Sequence, residues 1–170
     1  MNKKLFALLV VAIIAIVSIG AVNAFDLGSL LGGGNTVTVD GVNFNVPDGF
    51  EEVVRNTTTK YNKTVDNIAY FSEIKNYKKD NDTLSLSVSK NPSHKATDDT
   101  ARHYGGNSET INGVAGYLEY HPQNVTRFVS GNYIYTITTY PYYTFAYAKD
   151  DKLVVVSASE KEFISDAVKA

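Results

Sequence analysis

The stretch "NYIYTITTYPYYTFAYAKDDKLVVVSAS", residues 132–159, decides the fold. Before Pro141, Tyr133, Tyr135 and Ile137 fall at one parity and Ile134, Thr136, Thr138 and Tyr140 at the other; after it, Tyr143, Phe145 and Tyr147 alternate with Tyr142, Thr144 and Ala146. Period two is the repeat of a β-strand, whose successive side chains point to opposite faces. Proline has no amide for a central ladder, so Pro141 predicts a bend between two strands that pair with each other. "KDD" is the length of a hairpin connection, and "KLVVVSAS" is the returning strand. Tyr, Phe, Thr and Ile suit a pleated surface, where a cross-strand aromatic pair contributes roughly 0.2–1 kcal/mol, so most of these rings read as the inside of a sheet. Tyr140 and Tyr142 are the exception. They flank Pro141 at an expected loop apex, where flat apolar area plus a hydroxyl suits a glycan or protein partner, and they are the candidate binding residues.

The same reading extends in both directions. "TVTVDGVNFNV" alternates on either side of Asp40-Gly41, the signature of a hairpin, and Pro47, Asp48 and Gly49 close it before "FEEVV" resumes an extended segment. Residues 55–67 carry little to bury and are expected as a mobile loop. "IAYFSEIKNY" and "TLSLSVSK" are strands joined by "KKDND", the second alternating Leu and Val with serine. A short helix is expected near 94–104, capped by Ser93, with Ala96, Ala101 and Tyr104 facing inward. The Asn112-Gly113 pair marks a turn before "VAGYLEYH". "SEKEFISDAVKA" closes the chain as a helix: Ser159 and Glu162 have capping-box spacing, and Phe163, Ile164, Ala167 and Val168 form one stripe.

The opening "MNKKLFALLVVAIIAIVSIGAVNAF" places Lys3 and Lys4 before 18 residues, Leu5 to Val22, without an ionisable group. Charge, apolar run and small residues in that order mark an export signal. A run of 18 residues is also about the minimum for a bilayer span, so residues 1–24 read as a signal peptide or a membrane anchor. The lysines on the short flank put the rest of the chain outside the cytoplasm. Residues 25–35, with three consecutive glycines, form a linker. Residues 36–170 are then a single extracytoplasmic domain.

Composition excludes several classes of function. With Lys3 and Lys4 set aside, 14 of the 16 cationic residues face all 18 acids, and Arg55, Arg102 and Arg127 are scattered, which argues against nucleic acid. The chain has no cysteine, so thiol and disulfide chemistry are absent. Either the compartment is not oxidising or a core of this size needs no staples. No catalytic, metal or cofactor constellation emerges. His94 with Asp98 and Asp99 with His103 have helical ligand spacing but need not converge, and acids in a first helical turn are common for dipole reasons. His121, beside Pro122, reads as solvated. The glycine-flanked nucleophile turn of a serine hydrolase does not occur, and "GSLLGGGN" lacks the lysine of a phosphate loop. Glu51-Glu52 and Asp150-Asp151 are adjacent and so face opposite ways in an extended chain. Asn56, Asn62, Asn81 and Asn124 begin N-glycan acceptor triplets in stretches read as loops or polar connectors.

Taken together, "VNFNVPDGF", "INGVAGYLEY" and "YTFAYAKDDKLVVVSASEKEFISDAVK" resemble small exported or membrane-anchored proteins of methanogenic archaea, over most of residues 40–169. More loosely, the opening proline turn, mixed strands and closing helix are similar to the photosystem II oxygen-evolving-protein and Mog1-like superfamily, whose members act mainly in assembly or binding. The expected fold is α+β: a twisted antiparallel sheet of six to eight strands, a C-terminal helix packed on one face, a second short helix, and an N-terminal apolar helix before them. The expected function is that of a non-enzymatic, secreted or membrane-tethered cell-surface domain with a binding or envelope-assembly role. Its expected partners are the membrane through residues 5–22, if these are retained, and a cell-envelope glycan or protein. The alternatives are a glycan-binding module using Tyr140 and Tyr142, and an extracytoplasmic hydrolase.

Overall fold

A computed structural model describes residues 35–54, 60–65, 68–130 and 133–170. The expected N-terminal apolar helix, residues 25–34 and Asn56 lie outside the described residues. No helix among those described is long and apolar enough to cross a membrane.

The chain first forms a hairpin of β1 (Asn35–Val39) and β2 (Val42–Val46), whose turn residues Asp40 and Gly41 take the positive φ values, 39° and 83°, that a two-residue connection demands. Val39, Val42, Phe44 and Val46 are buried, as their alternation requires. The strands that follow are β3 (Glu51–Glu52), β4 (Lys60–Val65), β5 (Ile68–Lys79) and β6 (Asp82–Lys90). After helix α1 (Asp98–Arg102) come β7 (Asn107–Ile111), β8 (Val114–His121), β9 (Asn124–Ser130), β10 (Tyr133–Thr139), β11 (Tyr142–Lys149), β12 (Lys152–Ala158) and helix α2 (Lys161–Ala167). The main sheet runs β3-β5-β6-β12-β11-β8-β7, with β4 also paired to β5, and all its pairs are antiparallel. Eight strands with helices of only 5 and 7 residues make the fold mostly β, with less helix than the α+β expectation held.

Parity sorts the sheet into two unlike faces. On one, Leu84, Leu86, Val88, Phe145, Tyr147, Val154 and Val156 form the larger core with the β1–β2 hairpin and α2, to which Ile164, Ala167 and Val168 contribute. Phe163 meets Phe50 edge to face, with ring centroids 5.0 Å apart. On the opposite face, Ala146, Leu153, Val155 and Tyr70 form a smaller core with Ala96 and Ala101, which partly buried Tyr104 and Tyr117 flank.

Four local expectations are corrected. Residues 60–65, expected in a loop, form β4, because backbone pairing along β5 from Glu73 to Ile68 satisfies them without an apolar face. The first helix is shorter than 94–104: the Asn91 side chain accepts the amides of Ser93 and His94 in a turn, and the cap is the reciprocal Thr97–Thr100 pair, not Ser93. Helix α2 starts from Glu160, since the Ser159 hydroxyl is taken by Asp82 and the Thr83 amide across the sheet, so the capping box does not form. Pro141 does not bend between paired partners: β10 pairs with β9, whereas β11 pairs with β8 and β12.

Candidate functional site

That last correction creates the feature most relevant to function. Strands β9 and β10 leave the main sheet after His121 and return to it at Tyr142, forming a separate two-stranded ribbon. Among the described residues, neither core includes one from this arm. Its register runs from Asn124↔Thr139 to Ser130↔Tyr133, which places Thr126, Phe128 and Ile137 on one face and Val125, Arg127, Ile134 and Thr136 on the other. Both faces therefore carry large apolar groups. Val125, Phe128, Ile134 and Ile137 are 50% to 71% exposed, and the last three line a shallow recess with Thr136. Arg127 is the only charged residue between Asn124 and Thr139.

Tyr140 and Tyr142 sit at the root of this arm, not at a loop apex. Tyr140 lies in the link between β10 and β11 and is 75% exposed. Tyr142 opens β11 half-buried and stacks on His121, its register partner on β8, with centroids 4.3 Å apart and planes 16° apart. Glu119 Oε2 approaches His121 Nε2 at 3.6 Å. On the opposite face, Tyr120 and Tyr143 make the next cross-strand pair at 4.9 Å. Beyond Tyr142, register and parity align Asn76, Ser85, Ser157, Thr144 and Glu119 in one polar row across five strands, with a 3.2 Å hydrogen bond between the Thr144 and Ser157 hydroxyls. The root thus combines flat rings, one carboxylate and a line of hydroxyls, a set that can hold a polar ligand.

The remaining candidates are used structurally. Asp98 accepts the Tyr117 hydroxyl at 2.7 Å, and that hydrogen bond, more than burial, raises the phenol above its ordinary pKa. Asp99 pairs with Arg102 at 2.7 Å, and the His103 ring meets the backbone carbonyl of Asp99. Asp98, Asp99 and His103 are thus each engaged within the fold. Among the described residues no group of three His, Asp or Glu side chains could hold a metal ion. A recess of about 250 Å³ beside Phe71, Glu73 and Pro92 contains Asp40, whose Oδ1 receives Lys90 Nζ at 2.5 Å while Lys152 Nζ donates to the Asp40 carbonyl oxygen. These lysines fasten the β1–β2 turn to the sheet.

Of the acceptor asparagines, Asn81 is exposed in the β5–β6 turn and Asn124 is exposed at the start of β9. Asn62 falls within β4, not in a loop. No family model, curated protein or solved structure matches the chain. The residues that sequence reasoning did not single out are Val125, Phe128, Ile134 and Ile137. Their signal was Ile on both parities of β10, since a strand seated on one core has a polar side.

Proposed function

We propose that the chain is a non-enzymatic extracytoplasmic domain, secreted or held at a membrane by residues 5–22, whose binding or envelope-assembly role is exercised through the β9–β10 arm. One observation carries this reading: large apolar residues stand exposed on both faces of a ribbon that, among the described residues, contributes to neither core. A lone two-stranded hairpin is marginal in water, and exposed apolar patches of this kind mark interaction surfaces. Its test is the triple substitution Phe128→Ser, Ile134→Ser and Ile137→Ser in the full chain. The melting temperature should stay within a few degrees, because no core is touched, while adducts formed by crosslinking on intact cells should disappear. Unchanged adducts would place the role elsewhere. Mass spectrometry of the native protein tests the location, by showing whether residues 5–22 are retained and whether Asn81 or Asn124 carries a glycan.

A second reading, glycan recognition at the root, draws on the exposed Tyr140 ring and the Tyr142–His121 stack beside Glu119. Binding of envelope oligosaccharides by calorimetry, lost in Tyr140→Ala, supports it; equal binding by that variant counts against Tyr140.

A further inference from the structure

We infer that the arm's partner is a second copy of this chain, joined along β10 about a twofold axis at Thr136. This rests on the arm being the contact surface. Among the described residues β10 pairs with β9 alone, and no described strand lies along its outer edge, where a row of amides and carbonyls can take a further strand. All seven residues of β10, YIYTITT, are Tyr, Ile or Thr, with high strand preference. The devices that protect natural edges are missing from it: no lysine, no glutamate, no proline.

Charge placement selects which edge meets which. β9 spans Asn124–Ser130 with Arg127 at its midpoint. Two copies of β9 paired antiparallel about their centres would set Arg127 against Arg127, a like-charge pair directly opposite, which is destabilising. Two copies of β10 paired about their centre bring no charge together. Thr136 meets Thr136, Tyr135 meets Ile137, and Ile134 meets Thr138, so all seven residues find a partner. In the resulting order β9-β10-β10-β9 the two Arg127 residues stand three strand spacings apart, about 14 Å, beyond a Debye length of roughly 8–10 Å.

The same arginine limits growth. Each outer edge of the four-stranded assembly is then a β9 with a charge at its middle, which opposes further addition and closes the contact as an isologous dimer. A charge-poor ribbon also offers little to an acidic or basic partner, and one arginine is a poor anchor for lipid headgroups. A seven-residue pairing is smaller than the roughly 1,200–2,000 Å² of a standard stable interface, so the dimer should respond to concentration.

The absence of cysteine makes the test clean. In the full chain in mild detergent, Thr136→Cys puts two thiols opposite each other, within the Cα separation of roughly 4.4–6.8 Å that a disulfide needs. Thr138→Cys leaves its thiols four residues out of register, about 14 Å apart, and Thr126→Cys lies on β9. After mild oxidation, non-reducing electrophoresis should show at least ten times more covalent dimer for Thr136→Cys than for either control, with a native-like melting curve for all three. Equal linking by the three variants, or none by Thr136→Cys, overturns the inference. If Thr136→Cys fails to link while the triple serine variant still loses its cellular adducts, the arm binds a different protein; if neither changes, the arm reading falls as well.

Discussion

The side-chain amide of Asn112 donates to the carbonyl oxygen of Ser165 at 2.6 Å, tying the β7–β8 turn to the last turn of α2. It also reaches the Val168 carbonyl at 3.0 Å. Helix C-termini leave carbonyls without partners, and α2 has no basic residue in its last turn to serve them. Asn112 therefore acts as a remote cap. Asn112→Gly, which accepts the φ of 50°, should lower stability by about 1–2 kcal/mol in chemical denaturation. Asn112→Ala adds backbone strain and should be worse. A glycine variant as stable as the parent would mean that apolar contacts alone hold the helix.

Tyr147 is 1% exposed, and among the described residues its hydroxyl has no hydrogen-bond partner. Burial pushes the phenol well above its ordinary pKa. Removing an unsatisfied buried group while keeping the ring is favourable, so Tyr147→Phe should raise stability by about 1 kcal/mol and the melting temperature by roughly 3–5 °C. A lower melting temperature would show that the hydroxyl contributes a bond.

A Cβ added at Gly116 would lie 2.6 Å from the Ala146 carbonyl oxygen and 2.7 Å from the Phe145 ring. β8 and β11 approach closely there, and Gly116→Ala must push backbone aside at a cost of about 1–3 kcal/mol. Gly113→Ala, at φ +82° but with nothing nearby, incurs conformational strain alone. Thermal denaturation should rank Gly116→Ala as the less stable; the reverse order would mean that the sheet relaxes freely at Gly116.

Burial, with the Glu52 carboxylate as the lesser cause, pushes Tyr77 up to about 12. Below pH 10 the phenol is protonated in both folded and unfolded chains, and its contribution is intact. From about pH 10 to 12 the unfolded chain ionises first, so folding stability should fall as pH rises. Tyr77→Phe should flatten that segment of the stability profile. An identical slope in the variant would remove Tyr77 as the cause.

The hairpins were legible because their turn residues carry backbone information: Asp40-Gly41, Asn112-Gly113 and Asp150-Asp151 all take the left-handed φ that their turns need. Phe163, Ile164, Ala167 and Val168 were legible from spacing. β4 was not, because its support is a ladder of backbone bonds to β5, which leaves no mark on side-chain pattern. Ser159 misled for a related reason: a hydroxyl suited to a local cap was taken by Thr83 and Asp82, distant in sequence. At the candidate site, Tyr140 and Tyr142 were legible as rings flanking Pro141, but their place at the root of the arm was not. The arm itself stayed hidden because periodicity tells which residues share a face, not whether anything lies against it.

The position of β12 has a consequence for how the molecule is made. It joins β6 to β11, yet it is the last of the described strands. Until it is in place, β3 to β6 and β7, β8 and β11 are separate half-sheets, each with an unfilled margin where β12 belongs. A polypeptide emerging from its N-terminus cannot complete the main sheet before residues 152–158 have emerged. A truncation before residue 152 should leave those halves apart, open to proteases and prone to clumping.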